Sequence, residues 1–371
     1  MATTIEDVAR VASVSPATVS HVVNGTRRVS DEVCARVKAT IDELGYHPNS
    51  LARTLRTGRS HAIGLIIPDI SNLYFAEFAR LIDDLGHQSG YSIILCSTND
   101  DVDQESAYVD VLLSRQVDGI IFIAAGDSSA NLQKCFDRGA PVVVVDRELA
   151  GHSVAAVCVD NHAGGYLATR HLIGLGHTKI GCISGPPSVQ PSAQRVAGYR
   201  DAMSEAGLKV DDEWLAVGDF HTAGGETCAN QILRRRSSRP SALFACNDFM
   251  AIGAMRSARR LGLRVPEDLS VIGFDDIPLA ESLMPALTTI AQPIEEMTQI
   301  AVSTLIARMK ATPAGELASA PDPRPLQPRL IVRDSAVRPA VEPVVVPRGG
   351  AAKAAARGQA KSTQPSETGE P

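Results

Sequence analysis

Between residues 61 and about 334 two hydrophobic rhythms alternate along the chain. Continuous aliphatic and β-branched runs lie at 63–67, 92–96, 119–123, 142–145, 155–159, 180–184, 242–245 and 269–273. Between most of them apolar residues recur every three to four positions, as over 75–88, 164–175, 193–206 and 250–261. Short unbroken apolar runs suit strands buried on both faces, and the intervening period suits amphipathic helices. Repeated βα units of this length imply parallel sheets with right-handed crossovers. About ten units could close one barrel or build two open sheets, and periodicity leaves both architectures open. Before residue 61 there is no strand pattern. Beyond about 335 the chain turns rich in Pro, Ala, Gly and Ser, with too few large apolar residues to pack, so 336–371 is expected to be a disordered tail. The Pro-rich stretch 321–328 interrupts the body before a last apolar run at 330–332.

The first sixty residues predict short helices. Thr4 and Asp7 form a capping-box-like pair ahead of a helix over 5–12, broken at Ser13-Val14. Ser15 then caps a second helix with Pro16 in the favoured first position, ending at Asn24-Gly25. Two short helices joined by a tight turn match the DNA-reading helix-turn-helix, whose second helix lies in the major groove. Val8, Ala9, Val19, Val22 and Val23 would form the inner face. Ala17, Thr18, Ser20, His21 and Asn24 would then be exposed, small or polar groups able to approach base edges and phosphates. Ser30 caps a third helix, 31–44, that buttresses the pair and stops at Gly45. The same pattern also occurs in ordinary helical bundles.

Residues 47–58 read as an isolated short helix with Asn49 as N-cap and Gly58 as stop, too short to be stable alone in water. Arg53, Arg56 and Arg59 flank leucines that have no core to enter. Basic residues around an apolar wedge fit minor-groove insertion, in which a leucine partly unstacks a base step. A plain interdomain linker is the other reading.

These segments resemble the lactose/galactose repressor family. The resemblance is carried by TIEDVARVASVSPATVSHVVNG, LGYHPNSLARTLRTGRS, IGLIIPDISN, QVDGII, LGHTKIG, NDFMAIGAM, VIGFDDI and PALTTIAQP, in order and over residues 3 to about 335. It implies an all-α helix-turn-helix headpiece at 1–48, a hinge at 49–60, and an α/β periplasmic-binding-protein-like body of two open parallel-sheet lobes at 61–335. The N-lobe would hold about 61–160 and 292–322, the C-lobe about 161–291 and 323–335, with crossovers near 160–161, 290–293 and 321–325. Pro16, Ala17, Thr18, His21 and Arg27 occupy the family's base- and phosphate-contacting positions, and Leu55 its wedge position. The expected DNA-contacting set is therefore Thr4, Pro16, Ala17, Thr18, Ser20, His21, Asn24, Arg27, Asn49, Arg53, Leu55 and Arg56. Pro16 stands where relatives carry a polar residue, so operator preference cannot be copied from any one of them.

Open parallel sheets bind ligands at the carboxyl ends of their strands. The polar residues immediately after strands are Asn72, Asp146-Arg147, Asn247-Asp248 and Asp275-Asp276, with Arg195 at a helix start. Carboxylates and guanidinium forks engage adjacent sugar hydroxyls, while aromatic rings cover a sugar's apolar face. Asn72, Asp146, Arg147, Arg195, Asn247, Asp275 and Gln292 suit the first task, and Tyr74, Phe75 and Phe220 the second. The combination is similar to the family's ribose-binding branch, except that Tyr74 often stands as phenylalanine there. In the purine-responsive branch the Arg147 position is tryptophan and a further pocket arginine corresponds here to Val189. Any of these strand-end residues could instead be a simple helix cap, Asp248 most readily.

Charge refines this picture. The net charge of −6 argues against a nucleic-acid binder. Residues 1–60, however, hold eight Arg/Lys and six Asp/Glu, so a weakly basic head precedes an acidic body. Seven scattered cysteines without a C-x-x-C pair read as small core residues, with no metal site. Neither G-x-G-x-x-G nor G-x-x-x-x-G-K-[ST] is present, and no His–nucleophile arrangement stands out, which disfavours an enzyme. The polar start MATTIEDVAR is no signal peptide, and no apolar run is long enough to span a bilayer. The expectation is a cytoplasmic, non-enzymatic homodimer with no cofactor and no membrane contact. Its partners would be operator DNA and a small effector, most simply a pentose; the alternatives are a purine, sugar acid or other sugar acting as corepressor, or a sugar-processing enzyme.

Overall fold

The computed structural model describes residues 3–25, 27–46, 59–124, 129–146, 155–235, 239–310 and 324–339. The expected hinge helix, with Asn49, Arg53, Leu55 and Arg56, lies outside them. So do Arg147 and the expected disordered tail from 340 onward.

Three helices form the head: α1 (Ile5–Val11), α2 (Pro16–Asn24) and α3 (Asp31–Leu44). The capping box between Thr4 and Asp7 is present, and Ser13 turns the chain with φ 53°. Ser15 Oγ accepts the Thr18 amide at the start of α2, where Pro16 needs no backbone donor. Gly25 and Gly45 end α2 and α3 in the left-handed region. Val8, Ala9, Ala12, Val19 and Val37 make a small core, against which Val22, Val23 and Ile41 pack half-buried.

Two open sheets, and no barrel, follow. The first combines β1 (Ala62–Ile67), β2 (Ser92–Ser97), β3 (Gly119–Phe122), β4 (Val142–Val145) and β5 (Ala155–Val157) in the order β2-β1-β3-β4-β5. All its pairings are parallel, with Ile63 of β1 between Ile93 and Gly119. The helices of this lobe are α4 (Leu73–Gln88), α5 (Val102–Ser114) and α6 (Ser129–Asp137). Separate apolar clusters cover the two faces of the sheet, which is why its strands read as unbroken hydrophobic runs.

The second lobe holds α7 (Asn161–Gly174), β6 (Ile180–Ser184), α8 (Gln190–Glu205), β7 (Leu215–Val217), α9 (Thr222–Leu233), β8 (Ala242–Ala245), α10 (Asp248–Arg260), β9 (Ser270–Asp275), α11 (Pro278–Ser282) and β10 (Thr288–Ala291). Its sheet order is β11-β10-β9-β8-β6-β7, with β11 (Arg329–Ile331) antiparallel at the edge. After β10 the chain returns to the first lobe. There α12 (Ile294–Lys310) buries Met297, Ala301, Val302 and Leu305 in that lobe's core.

Two boundaries differ from expectation. Leu326 still bridges to Val159 beside β5, so the third crossover falls between Leu326 and Arg329 rather than at 321–325. The body also runs past 335. Ser335 and Ala336 are buried, and the Val337 carbonyl accepts from Ser270 Oγ at 3.1 Å and lies 2.8 Å from His177 Nε2. Residues 336–339 are therefore held by polar groups of the C-lobe, which a count of apolar residues does not register. No two of the seven cysteines form a disulfide, and five are buried.

Candidate functional site

Both sheets change strand direction of travel at one point, between β1 and β3 and between β6 and β8. Ligand crevices open outside the carboxyl ends of strands at such points. A cleft between the lobes lies there, with a void of about 60 Å³. Asn72 after β1, Asp146 after β4, Phe220 after β7, Asn247 after β8, Asp275 ending β9 and Gln292 after β10 all line it, with Tyr74, Phe75 and Arg195. Every expected cleft residue among the described positions is thus brought to one place.

Arg195 is placed by close helix packing. A Cβ at Gly165 of α7 would lie 2.0 Å from the Arg195 carbonyl, and one at Gly198 of α8 would lie 2.0 Å from the His162 carbonyl. Only glycine permits that approach. The Arg195 side chain is then buried: Nε donates to Asn161 Oδ1 at 2.8 Å and Nη1 to the Cys246 carbonyl at 2.6 Å. Its guanidinium lies over the Phe274 ring, 3.6 Å from the centroid, and Nη1 is 3.7 Å from Asp275 Oδ1.

A second set of bonds joins the lobes. The Tyr74 hydroxyl donates to Gln292 Oε1 at 3.2 Å, and Gln292 Nε2 donates to Asp275 Oδ1 at 2.8 Å. Burial pushes the Asp275 carboxyl up to about 7 and Asp146 adds to the rise, while Arg195 and the Gln292 hydrogen bond oppose it. Burial first, then Asp146 and Asp275, hold the Tyr74 phenol well above its ordinary value, so it remains a donor at neutral pH. Asp146, Phe220 and Asp275 carry φ of 69°, 66° and 115°. Non-glycine residues in this region cost about 1–3 kcal/mol each and gather at binding sites.

Two asparagines do double duty. Asn72 Oδ1 caps α4 through the Tyr74 amide at 3.0 Å, and Asn247 Oδ1 caps α10 through the Met250 amide at 2.9 Å. Asn247 Nδ2 also donates to the Phe220 carbonyl, fixing that ring's loop. Asp248 stands behind the cleft. Its Oδ1 accepts from Thr289 Oγ1 at 2.6 Å and its Oδ2 from the Ile277 amide at 2.9 Å, and it does not line the void. Burial and the neighbouring Asp275 raise its carboxyl well above the ordinary range. Asp276 is held by Arg333 at 2.7 Å.

Asp69, Asp100 and His221 also line the cleft, and strand-end reasoning missed them. Asp69 lies in the β1–α4 turn and His221 just after Phe220, so each was one step from a position that the strand ends single out.

On the head, Pro16, Ala17 and Arg27 are exposed, and Thr18, Ser20, His21 and Asn24 half-buried. Thr18 Oγ1 lies 2.9 Å from Ser15 Oγ. Asn24 Nδ2 donates back to the Ser20 carbonyl at 2.7 Å and to Ser20 Oγ at 3.2 Å. Thr4 is exposed, with its hydroxyl donating to Asp7 Oδ2 at 2.8 Å.

Residues 4–49 match the model of bacterial regulatory proteins of the lacI family, and residues 169–336 match the periplasmic binding protein-like domain. The HTH-type transcriptional repressor PurR of Serratia proteamaculans strain 568 is 41% identical over 308 residues, 82% of this chain and 90% of the relative. The chain belongs to the lacI family. A ribose operon repressor from Haemophilus influenzae is 38% identical over 307 residues, covering 83% of this chain and 92% of its own. Among solved structures, a lac repressor dimer bound to operator and an anti-inducer superimposes with a TM-score of 0.78 at 27% identity, covering 91% of this chain and 100% of that one. As a lacI-family member the chain is a DNA-binding transcriptional regulator. Among its described residues no helix is long and apolar enough to cross a membrane.

Proposed function

We propose that this chain is a homodimeric repressor whose cleft binds a small sugar, ribose or a related pentose, which releases it from a palindromic operator. The observation that carries this reading is the buried circuit Tyr74–Gln292–Asp275–Arg195, aimed into an interlobe cleft with aromatic walls. Asp146, Asp275, Arg195, Asn72, Asn247 and Gln292, with Arg147, would bind ring hydroxyls; Tyr74, Phe75 and Phe220 would cover the ring face. A site group left without its partner costs about 1–3 kcal/mol, so so dense a set discriminates among sugars. Among the described residues the cleft lining pairs no nucleophile with a base, which favours a sensor over an enzyme.

Pro16, Ala17, Thr18, Ser20, His21 and Asn24 would meet the major groove, with Thr4, Arg27, Asn49, Arg53 and Arg56 on the backbone and Leu55 as the minor-groove wedge. Two heads are needed to read a palindrome. Sugar closure of the lobes would separate the paired hinges, and it can do so only by binding the two states differently. Such a regulator works in the cytoplasm.

The similarity to PurR favours a second reading, a purine acting as corepressor. Val189 lines the cleft and offers a purine no side-chain donor, which weighs for the sugar. Calorimetric titration with ribose, other pentoses, hexoses, hypoxanthine and guanine decides between them, followed by operator binding with and without the hit. Saturable ribose binding without turnover supports the proposal. Binding of hypoxanthine alone would overturn it. Operator affinity retained by Leu55→Ala at fixed salt would remove the wedge.

A further inference from the structure

The QVDGII run puts Asp118 at the foot of β3, beside the point where the chain enters the body, and it does not line the cleft. Its carboxylate gathers three donors from two residues. Oδ1 accepts from the Ser60 amide at 2.7 Å and the Ser60 hydroxyl at 2.9 Å, and Oδ2 accepts from the His61 amide at 3.1 Å. Hydrogen bonds to an ionised carboxylate are roughly twice as strong as neutral ones. These three lie outside the ladder of the sheet. The ladder starts with the Asp118 amide on the Ala62 carbonyl at 2.8 Å and the Ser92 amide on the His61 carbonyl at 2.9 Å. His61 turns the chain with φ 53°, and its ring lies 5.8 Å from that of the buried Tyr91. A non-glycine residue keeps such a φ only where its surroundings over-determine it. The carboxylate also has a firm base. Leu305 and Met309 of α12 press on the adjoining Gly119, where a Cβ would fall 2.8 Å and 3.0 Å from them.

Ser60 and His61 are the last residues before β1, so the corner they make sets the direction in which the chain leaves the body toward the head. We propose that Asp118 is a positioning residue for operator binding: by clamping Ser60 and His61 it fixes where each hinge starts, and so the half-site spacing that a pair of heads can read. The proposal rests on the two-headed reading above. On that reading the hinge folds against DNA, and its bound direction has to match the corner at which it joins the body. Tether length is the lesser factor. Freeing Ser60 and His61 lengthens the free stretch after Tyr46 from 13 to 15 residues. Effective concentration falls roughly as the −3/2 power of that length, a change of only about 1.2-fold. Direction matters more, because each added base pair rotates one half-site by about 35° relative to the other. A fixed corner cannot follow that rotation, and a loose one can.

The test uses the full-length chain and palindromic duplexes that it selects from a randomised pool. The best duplex is remade with a base pair inserted or removed at its centre, and affinities are read at fixed salt by fluorescence anisotropy. The parent should lose about 30-fold or more on that change of spacing. Asp118→Ala should bind the best spacing about tenfold more weakly and lose less than about fivefold on the same change. Asp118→Asn should fall between, since its amide oxygen still accepts from Ser60 while its NH2 meets the His61 N–H donor to donor. Where Asp118→Ala melts below the parent, Asp118→Asn carries the same contrast between spacings. Ser60→Ala keeps both backbone bonds and should stay within about threefold of the parent. A merely structural role would weaken every spacing alike, so a uniform loss would overturn the proposal. So would parent affinity and parent spacing preference retained by Asp118→Ala. A parent indifferent to spacing would remove the two-headed reading, and the proposal with it.

Discussion

The bonds that shape the head and those that shape the cleft differ in reach along the chain. On α2 they are local: Ser15 with Thr18, and Asn24 with Ser20, three and four residues apart. In the cleft, Arg195 reaches Asn161 across 34 positions and Cys246 across 51, and Tyr74 reaches Gln292 across 218. The polar face of α2 is therefore shaped by caps within one short segment, while Arg36 to the Ala12 carbonyl and Thr3 to the Leu44 carbonyl, 24 and 41 positions apart, tie the head's helices together. The cleft exists only when both lobes and their crossovers are in place. Damage to one should leave the other working, and each prediction below presses on that separation.

The largest effect is expected from Arg195→Ala. It strands the Asn161 amide oxygen, the Cys246 carbonyl and the Asp275 carboxylate in a buried setting. Removing one partner of a buried charged network costs roughly 3–5 kcal/mol of stability. Sugar affinity should fall by about 100-fold or more, equivalent to roughly 3 kcal/mol. Thermal unfolding and calorimetric titration read the two losses. Sugar binding within tenfold of the parent would remove Arg195 from the site.

The next effect is one of pH. With its carboxyl at about 7, Asp275 is largely protonated at pH 6 and ionised at pH 8. If sugar hydroxyls donate to the ionised form, binding releases a proton below pH 7 and affinity rises about tenfold from pH 6 to pH 8. The sign for stability is the opposite. Between about pH 4 and 7 the folded chain keeps a proton that the unfolded chain has lost, so sugar-free stability from this group falls as pH rises through that window. Titrations in buffers of different ionisation enthalpy count the proton. Affinity that falls from pH 6 to pH 8 would mean that Asp275 works as a protonated donor.

Tyr74→Phe should be milder. It deletes the hydroxyl that meets Gln292 while leaving the ring wall, and a neutral hydrogen bond contributes about 0.5–1.5 kcal/mol. Ribose affinity should change three- to tenfold, and the ranking of pentoses should shift. An unchanged ranking would exclude the hydroxyl from specificity.

The same contrast in reach explains what could be read from the residues alone. A strand-end rule found Asn72, Asp146, Asn247 and Asp275 because backbone topology alone delivers those positions to one crevice. The rule says nothing of who holds whom. That Asp248 turns away to Thr289 and Ile277 while Asp275 faces the void depends on packing between β9, β10 and α10. Strand β7 has only three residues and β10 (Thr288–Ala291) opens on two threonines, so neither carries a long apolar run. The segment 336–339 is held by His177 and Ser270, two polar side chains nearly seventy or more positions away. The local caps Thr4–Asp7 and Ser15–Thr18 needed no such partners and were legible, whereas Ser30 precedes α3 without a side-chain cap bond.

Ser15→Ala is the smallest change and the cleanest probe of the separation. It removes the side-chain oxygen that accepts the Thr18 amide and touches the Thr18 hydroxyl, leaving the first turn of α2 uncapped. Cap losses of this kind cost about 0.5–2 kcal/mol. Among its described residues the head has five buried apolar side chains, so that amount is a large share of its stability, whereas the body's cores are far larger. Operator affinity at fixed salt should drop severalfold, and sugar titrations and the melting of the body should not move. A parallel loss of sugar affinity would show that the head and the cleft are coupled in the free protein, and that the local and long-range networks form one cooperative unit.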